Sequence, residues 1–335
     1  TTQWNALSLP KISGLLATQL RGLTSTQIAS FDATEMAALG ATQLAAFGAT
    51  QISALSTDQI SNLTTTQIKG LSSAQMAALS VTQAVALTST QLRSLSASQL
   101  SGITPAQLAA FSGDQLGALS PAQVGALSVA QLRLISPGQV AAFTPAQAAG
   151  FSLTQIRALA NTQIAALTTT QLGAMTSGAI GALSVKQIAA MTTEQVASFS
   201  VGQISSLSPA LVGALTGDQL NALTQPQVDA LGAAQVKALS KNQIGALQST
   251  QLARFSTTQV AALNSAQTAA LTADHLAALS STQFQSLTTA GIGGFSLAQI
   301  AGLSTTQVSS LSVTQVAGLT AVAISALSSS QMAAL

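Results

Sequence analysis

A strict eight-residue repeat constrains the fold of this chain more than any other feature. When slots are numbered by residue number modulo eight, the phase is unchanged from Thr1 to Leu335, which gives 42 octads. Slot 7 is apolar in all 42, slot 3 is Gln in 35, and slot 0 is Ser, Thr, Asp or Asn in 35 of 41. Slot 4 is a large apolar residue except at Ala84, Ala148 and Thr268. The consensus [ST]-x-x-Q-[ILV]-x-[AGS]-L predicts one uninterrupted array over residues 1–335, with no linker and no terminal caps.

The octad period excludes one continuous α-helix. Eight residues rotate a helix by about 800°, so successive octads would be about 80° out of step and no single face would be buried. Ser or Thr followed three residues later by Gln is instead a capping box, which marks a helix N-terminus. We therefore predict an all-α solenoid or superhelix of very short capped helices, one per octad.

Proline and charge positions support this prediction independently. Five prolines occupy slot 1, the first helical position, where a missing N–H costs nothing: Pro105, Pro121, Pro137, Pro145 and Pro209. Five of the eight acidic residues lie in slot 2 and six of the ten basic residues in slot 5. That distribution is the one that the dipole of a short helix favours.

A β-solenoid or cross-β stack is the alternative fold. Thr, Val and Ile are abundant, and a Gln in every octad could form an amide ladder. Slots 4 and 7 have opposite parity, however, so they would face opposite sides of one strand. Ala, Gly and Ser in slots 5 and 6 are also poor strand formers.

No octad is expected to fold by itself. Burying two large apolar side chains contributes about 3–6 kcal/mol, whereas ordering eight residues costs about 8–16 kcal/mol in backbone entropy. Stacked octads must therefore share one core. No 16- or 24-residue pattern is superimposed on the octads, so the number of helices per turn stays open.

Composition excludes several classes of function. The chain is 5% charged with a net charge of +2, too little to build a nucleic-acid surface. It has no Cys, so it has no disulfide, thiol nucleophile or Cys-ligated zinc. No run of 18 apolar residues and no basic-then-apolar leader occurs, and we expect neither a membrane span nor a signal peptide in this segment.

The residues that could carry chemistry all have a structural interpretation. Asp32 and Glu35 could act as an acid–base pair, but slots 0 and 3 make them a capping box. His275 replaces a slot-3 Gln and is the only His in the chain, so a capping or solvated role is favoured over a metal ligand or a base. Ser72 and Ser152 follow Gly-Leu and Gly-Phe without the second Gly of a nucleophile elbow.

Two further features also have a structural interpretation. Gly291, Gly293 and Gly294 lack the context of a dinucleotide loop and suggest a loosened repeat. Trp4, in slot 4, is expected in the core. We predict no catalytic, cofactor or metal site, no cofactor, and no enzymatic activity.

The array resembles a known class of sequences. Repeats such as Leu63-Thr64-Thr65-Thr66-Gln67-Ile68 are similar to low-complexity octapeptide arrays in very long bacterial secreted or surface proteins, some of them adhesin-like. The resemblance implies a fibre or stalk that is extracellular or at the cell surface. It carries over no functional residue.

Three functions follow as hypotheses. The first is a self-assembling filament subunit whose partner is itself, head to tail and laterally, since residues 275–335 contain no Asp, Glu, Lys or Arg to keep copies apart. The second is a spacer stalk of a large adhesin, which would reach surfaces or other cells through domains outside this segment. The third is an ice- or surface-binding protein that uses its Thr hydroxyls.

Overall fold

Short helices make up the described part of the chain. The structure is a computed structural model, and it describes residues 8–335. Within that range 41 α-helices of four to six residues follow one another and no strand occurs. The predicted all-α solenoid of one helix per octad is confirmed, and the β-solenoid alternative is wrong because the slot-3 Gln residues, Gln251 excepted, close helical caps instead of extending strands.

The chain forms two compact units, Thr1–Met175 and Thr176–Leu335, and the octad phase continues through the boundary between them. The helices of the first unit are α1 Leu9–Ser13, α2 Ala17–Arg21, α3 Ser25–Ala29, α4 Ala33–Ala38, α5 Ala41–Leu44, α6 Ala49–Ser53, α7 Thr57–Asn62, α8 Thr65–Gly70, α9 Ser73–Ala78, α10 Val81–Val85, α11 Ser89–Ser94, α12 Ala97–Gly102, α13 Pro105–Ala109, α14 Gly113–Gly117, α15 Pro121–Gly125, α16 Val129–Leu134, α17 Pro137–Ala141, α18 Pro145–Ala149, α19 Leu153–Ala158, α20 Asn161–Ala165 and α21 Thr169–Ala174.

The helices of the second unit are α22 Ser177–Gly181, α23 Val185–Ala189, α24 Thr193–Ala197, α25 Val201–Ser206, α26 Pro209–Val212, α27 Gly217–Asn221, α28 Gln225–Asp229, α29 Ala233–Ala238, α30 Lys241–Ala246, α31 Ser249–Leu252, α32 Thr257–Ala261, α33 Ser265–Thr268, α34 Ala273–Ala278, α35 Ser281–Ser286, α36 Thr289–Ile292, α37 Leu297–Ala301, α38 Thr305–Ser309, α39 Val313–Val316, α40 Ala321–Ser325 and α41 Ser329–Met332.

Two extended residues make each corner between helices. Leu63, in slot 7, has φ −61° and ψ 134°, and Thr64, in slot 0, has φ −66° and ψ 158°. None of residues 8–335 has a positive φ. Any side chain can therefore occupy the corner, which explains why no slot of the octad requires Gly.

The predicted capping box forms at the start of the helices. The backbone N–H of Gln59 donates to Ser56 Oγ at 3.0 Å, and the backbone N–H of Ser56 donates to Gln59 Oε1 at 2.7 Å. The slot-1 prolines open their helices as predicted, for example Pro105 at the first residue of α13. Two of the donors that a helix N-terminus leaves unpaired are thus satisfied in every octad that forms the box.

Within each unit, a helix packs on the helix three positions further along the chain. Examples are α9 with α12 and α13 with α16 in the first unit, and α26 with α29 in the second. Slot 6 lies at the closest approach. A Cβ added to Gly102 would lie 2.7 Å from Ser73 Cα, 29 residues earlier. Small residues in slot 6 therefore let the backbones of successive turns touch.

Slots 4 and 7 form the core along the inside of the stack. Ile60 is 0% exposed and Leu63 is 4% exposed, and the same two slots are buried in most octads. Slots 0, 1, 2 and 5 face solvent. No helix within residues 8–335 is long and apolar enough to cross a bilayer, which takes about 20 residues.

Candidate functional site

Most slot-3 Gln side chains of the described residues join two turns of the stack. Gln91 Oε1 accepts from the backbone N–H of Thr88 at 2.8 Å, which closes the capping box. Its Nε2 donates to the carbonyl oxygens of Ile60 at 2.9 Å and Leu63 at 2.7 Å, 31 and 28 residues earlier. Gln91 is 2% exposed. We call this double contact of one buried carboxamide the glutamine clamp.

The glutamine clamp recurs with one register. The Nε2 atoms of the following residues each reach both the carbonyl 31 residues and the carbonyl 28 residues earlier: Gln43, Gln51, Gln59, Gln67, Gln75, Gln83, Gln99, Gln107, Gln123, Gln131, Gln147, Gln155, Gln163 and Gln171 in the first unit, and Gln219, Gln235, Gln243, Gln259, Gln267, Gln299, Gln315 and Gln331 in the second.

The clamp and the helix packing together limit the number of octads in one turn of the solenoid. Its acceptors belong to the octad four before the Gln, whereas the helix bodies pack on the octad three before. A turn of the solenoid in each unit therefore contains between three and four octads, which is the quantity that the sequence left open.

His275 shows what the clamp requires chemically. Its Nδ1 accepts from the backbone N–H of Thr272 at 3.1 Å, and its Nε2 lies 2.7 Å from the carbonyl oxygen of Leu247, 28 residues earlier. The hydrogen-bond partners assign a neutral ring with its proton on Nε2. The imidazole thus reproduces one acceptor and one donor of the Gln carboxamide. The capping role is confirmed, and the solvated alternative is wrong because His275 is buried.

The side chains of Asp32 and Glu35 form the predicted capping box. The backbone N–H of Glu35 donates to Asp32 Oδ1 at 2.8 Å, and that of Asp32 donates to Glu35 Oε2 at 2.8 Å. Ser72 and Ser152 are N-caps that accept from the backbone N–H groups of Gln75 and Gln155 at 3.2 and 3.3 Å. Each of these side chains is occupied in helix capping, as predicted.

The glycine cluster corrects one prediction. A Cβ on Gly294 would lie 2.7 Å from Ser265 Cα, so this octad packs as tightly on the preceding turn as Gly102 does. Gly291 lacks a clamp, but Thr268 Oγ1 donates across the turn to the Gly291 carbonyl at 2.8 Å. The prediction of a loosened repeat is wrong because the absent side chains allow close contact. Trp4 lies outside the described residues.

The described surface offers little chemistry. Residues 8–335 contain no group of three or more His, Cys, Asp or Glu side chains that could hold a metal ion. One surface recess of about 500 Å³ is lined by hydroxyl, backbone and apolar groups that include Thr24, Ser25 and Phe47. Its single charged residue, Arg21, donates from Nε to the carbonyl of Ala46 at 3.3 Å. This hydrogen bond between Arg21 and Ala46 joins two turns of the stack.

The fold and the clamp define a helical repeat protein built from octapeptides. The chain belongs to the ALTTAQ repeat family, whose profile matches residues 31–65, 112–145, 149–185, 164–201, 178–209, 244–281 and 276–313, together more than half of the sequence. Residues 166–171 read Ala-Leu-Thr-Thr-Thr-Gln, so the letters of that name run from slot 6 to the clamp Gln in slot 3. A search of curated proteins found no match.

Proposed function

We propose that this repeat protein is the subunit of a self-assembling structural filament, extracellular or at the cell surface, and that it is not an enzyme. The observation that carries the proposal is the glutamine clamp, because the same pair of hydrogen bonds joins turn to turn through each unit. A stack whose upper and lower faces have one repeated chemistry can be extended by a further stack of the same kind.

The outer surface supports self-association. Slots 0, 1, 2 and 5 carry mainly Ser, Thr, Ala and Gly, and residues 275–335 carry no Asp, Glu, Lys or Arg. Copies therefore experience little electrostatic repulsion in this region. We propose lateral contacts between filaments on this surface, in addition to contacts along the filament axis.

A spacer stalk of a large surface adhesin is the second candidate. The clamp favours it too, because buried hydrogen bonds in successive turns make each unit a stiff spacer that needs no binding site of its own. On this proposal, adhesion to surfaces or cells belongs to other domains. Ice binding is less well supported, because Thr is scattered among slots 0, 1 and 2 and forms no invariant row.

Electron microscopy of the purified 335-residue chain, at rising protein concentration, separates the two candidates. Filament formation predicts uniform fibres many times longer than one chain. A stalk predicts single rods of one chain length at all concentrations, and that result would contradict the filament proposal. A layer line at about 4.8 Å would instead indicate cross-β aggregation.

A further inference from the structure

We propose that two copies of this chain bind side by side through complementary charges, with the basic face of one copy against the acidic face of the other. The basic face is Arg133 and Arg157 in the first unit, and the acidic face is Glu194 and Asp218 in the second. This inference rests on the proposed filament function and specifies its lateral contact. It follows from how the few charges of the chain are distributed.

The charges in the middle of the chain are sorted by sign. Residues 115–273 contain nine charged side chains, which fall into three consecutive groups of like sign. In chain order the groups are Arg133, Arg157 and Lys186, then Glu194, Asp218 and Asp229, then Lys237, Lys241 and Arg254. All nine side chains are exposed. The surface therefore carries patches of one sign, and such patches attract surfaces of the opposite sign.

The basic face places two guanidinium groups one turn apart. Arg133 and Arg157 occupy slot 5 of α16 and α19, two helices that pack on each other. The axes of packed helices are about 8–10 Å apart, so the two charges lie on the same side of the unit and repel each other. No acidic residue occurs between Asp114 and Glu194 to offset them. A partner with two carboxylates would relieve this repulsion.

These two arginines differ from two others in the first unit. Arg93 Nε donates to the carbonyl of Ala118 at 3.3 Å, 25 residues later, and Arg21 makes a bond of the same register. Neither Arg133 nor Arg157 makes a hydrogen bond or an ion pair within residues 8–335. The guanidinium donors of the basic face are therefore available to carboxylates of a partner.

Apolar side chains border the basic face. Leu134 follows Arg133 and is 58% exposed, and Leu153, four residues before Arg157 in α19, is 48% exposed. Residues four apart lie on one side of a helix, so Leu153 flanks Arg157. A bound copy would cover this apolar surface as well, and that burial adds to the charge attraction.

The acidic face matches the basic face in spacing. Glu194 and Asp218 occupy slot 2 of α24 and α27, which also pack on each other. They are 24 residues apart, the same separation as in the basic pair. Neither carboxylate has a hydrogen-bond or ion-pair partner within the described part of the chain. One chain therefore carries both halves of a two-pair contact, and a second copy is the partner that supplies the opposite half.

Charge reversal on each face tests the contact. The all-acidic variant, Arg133→Glu with Arg157→Glu, has two acidic faces. The all-basic variant, Glu194→Arg with Asp218→Arg, has two basic faces, and neither variant should bind itself. The exchanged chain carries all four substitutions, so its two faces are again opposite in sign and its self-association should be restored.

The matched controls change the net charge by the same amount elsewhere. Lys11→Glu with Lys69→Glu is the control for the all-acidic variant. Asp58→Arg with Asp274→Arg is the control for the all-basic variant, and it uses the same slot 2 as the acidic face. All four positions are exposed. Circular dichroism of each variant checks that its helices are intact.

Sedimentation equilibrium and electron microscopy of the 335-residue chains give the readout. At an ionic strength of about 0.02 M we expect each face variant to raise the dissociation constant of lateral association by about tenfold or more, and each control to change it by less than about threefold. The exchanged chain, and an equimolar mixture of the all-acidic and all-basic variants, should associate like the original chain. Salt at about 0.5 M should weaken the original contact, because it screens exposed charges.

The outcomes separate this contact from the filament function. Fibres whose lateral association is unchanged in both face variants, or is not restored in the exchanged chain, would overturn the charge contact and leave the filament. Salt-sensitive dimers that never elongate would overturn the filament function and retain the contact. An original chain that stays monomeric at every concentration would overturn both. If that monomer bound phosphatidylglycerol vesicles and the all-acidic variant did not, the partner of the basic face would be an anionic lipid surface instead of a second copy.

Discussion

Gln131 Nε2 lies 2.7 Å from the carbonyl oxygen of Ile103, 28 residues earlier in the chain. The same nitrogen is 2.8 Å from the Leu100 carbonyl, and Gln131 Oε1 accepts from the Ser128 N–H at 2.7 Å. One side chain that is 2% exposed thus caps its own helix and donates hydrogen bonds to the preceding turn. Repeated through each unit, this contact is the device that lets octads too short to fold alone form a stable stack.

Removing one clamp should open the stack locally. In Gln131→Ala the carbonyls of Leu100 and Ile103 and the N–H of Ser128 lose a buried partner, and we expect a loss of local stability of about 2–4 kcal/mol. Hydrogen exchange at the Ser128 amide measures it. Gln285→Ala makes the same change at an exposed slot-5 position and should alter stability by less than about 0.5 kcal/mol. Equal exchange rates in the two variants would contradict the clamp.

His275 should tolerate Gln but not an apolar residue. His275→Gln restores the consensus clamp, and we expect unfolding free energy to stay within about 1 kcal/mol of the original or to rise. His275→Leu leaves the Thr272 N–H and the Leu247 carbonyl without this partner and should cost about 2 kcal/mol or more. Nitrogen-15 NMR of the ring should report the neutral form protonated on Nε2. A ring protonated on Nδ1 would contradict the assigned contacts.

Two glycines should respond to alanine with opposite signs. A Cβ at Gly102 would meet the Ser73 backbone, so Gly102→Ala should cost about 1–3 kcal/mol. Gly173 lies near the end of α21 with nothing within 4 Å of an added Cβ, so Gly173→Ala should stabilise by about 0.5–1 kcal/mol. Thermal unfolding of the two variants compares them directly, and destabilisation of equal size at both positions would refute the slot-6 contact.

Gln248 is a poor N-cap whose replacement should stabilise the protein. No side chain caps α31, and the Gln248 N–H donates to Asn221 Oδ1 at 3.1 Å. Gln251 Oε1 is consequently the one buried side-chain N or O atom without a partner within residues 8–335. Gln248→Ser supplies the missing hydroxyl and should raise the unfolding free energy by about 0.5–1.5 kcal/mol. Gln285→Ser, on the exposed slot 5, is the control, and an equal gain there would rule out capping as the cause.

Local features of the fold were predictable from the sequence because their causes lie within one octad. The Ser56–Gln59 capping box, Pro105 at the first helical position and the inward slots 4 and 7 each depend on spacings of a few residues. The turn of three to four octads was not predictable, because no residue type marks that longer period. Contacts between residues 28 and 31 positions apart depend on how the chain winds in three dimensions, which the spacings within one octad do not specify.

The clamp itself left a signal in the sequence that our interpretation did not use. A capping box accepts Glu as readily as Gln, because only an acceptor oxygen is needed. Slot 3 is nevertheless Gln in 35 octads and Glu only at Glu35. That preference indicates a requirement for a donor as well, and His275, which also carries both functions, points the same way.

Hydrogen exchange of the Gln side-chain amides is the most direct test of the clamp. In a chain labelled with nitrogen-15 at Gln Nε2, we predict slow exchange for clamped residues such as Gln91 and Gln131 and rapid exchange for the exposed Gln248 and Gln285. Slow exchange of most slot-3 amides beside a few fast signals would establish the clamp as the element that holds the turns together. Uniformly fast exchange, at the rate of a free carboxamide, would contradict it.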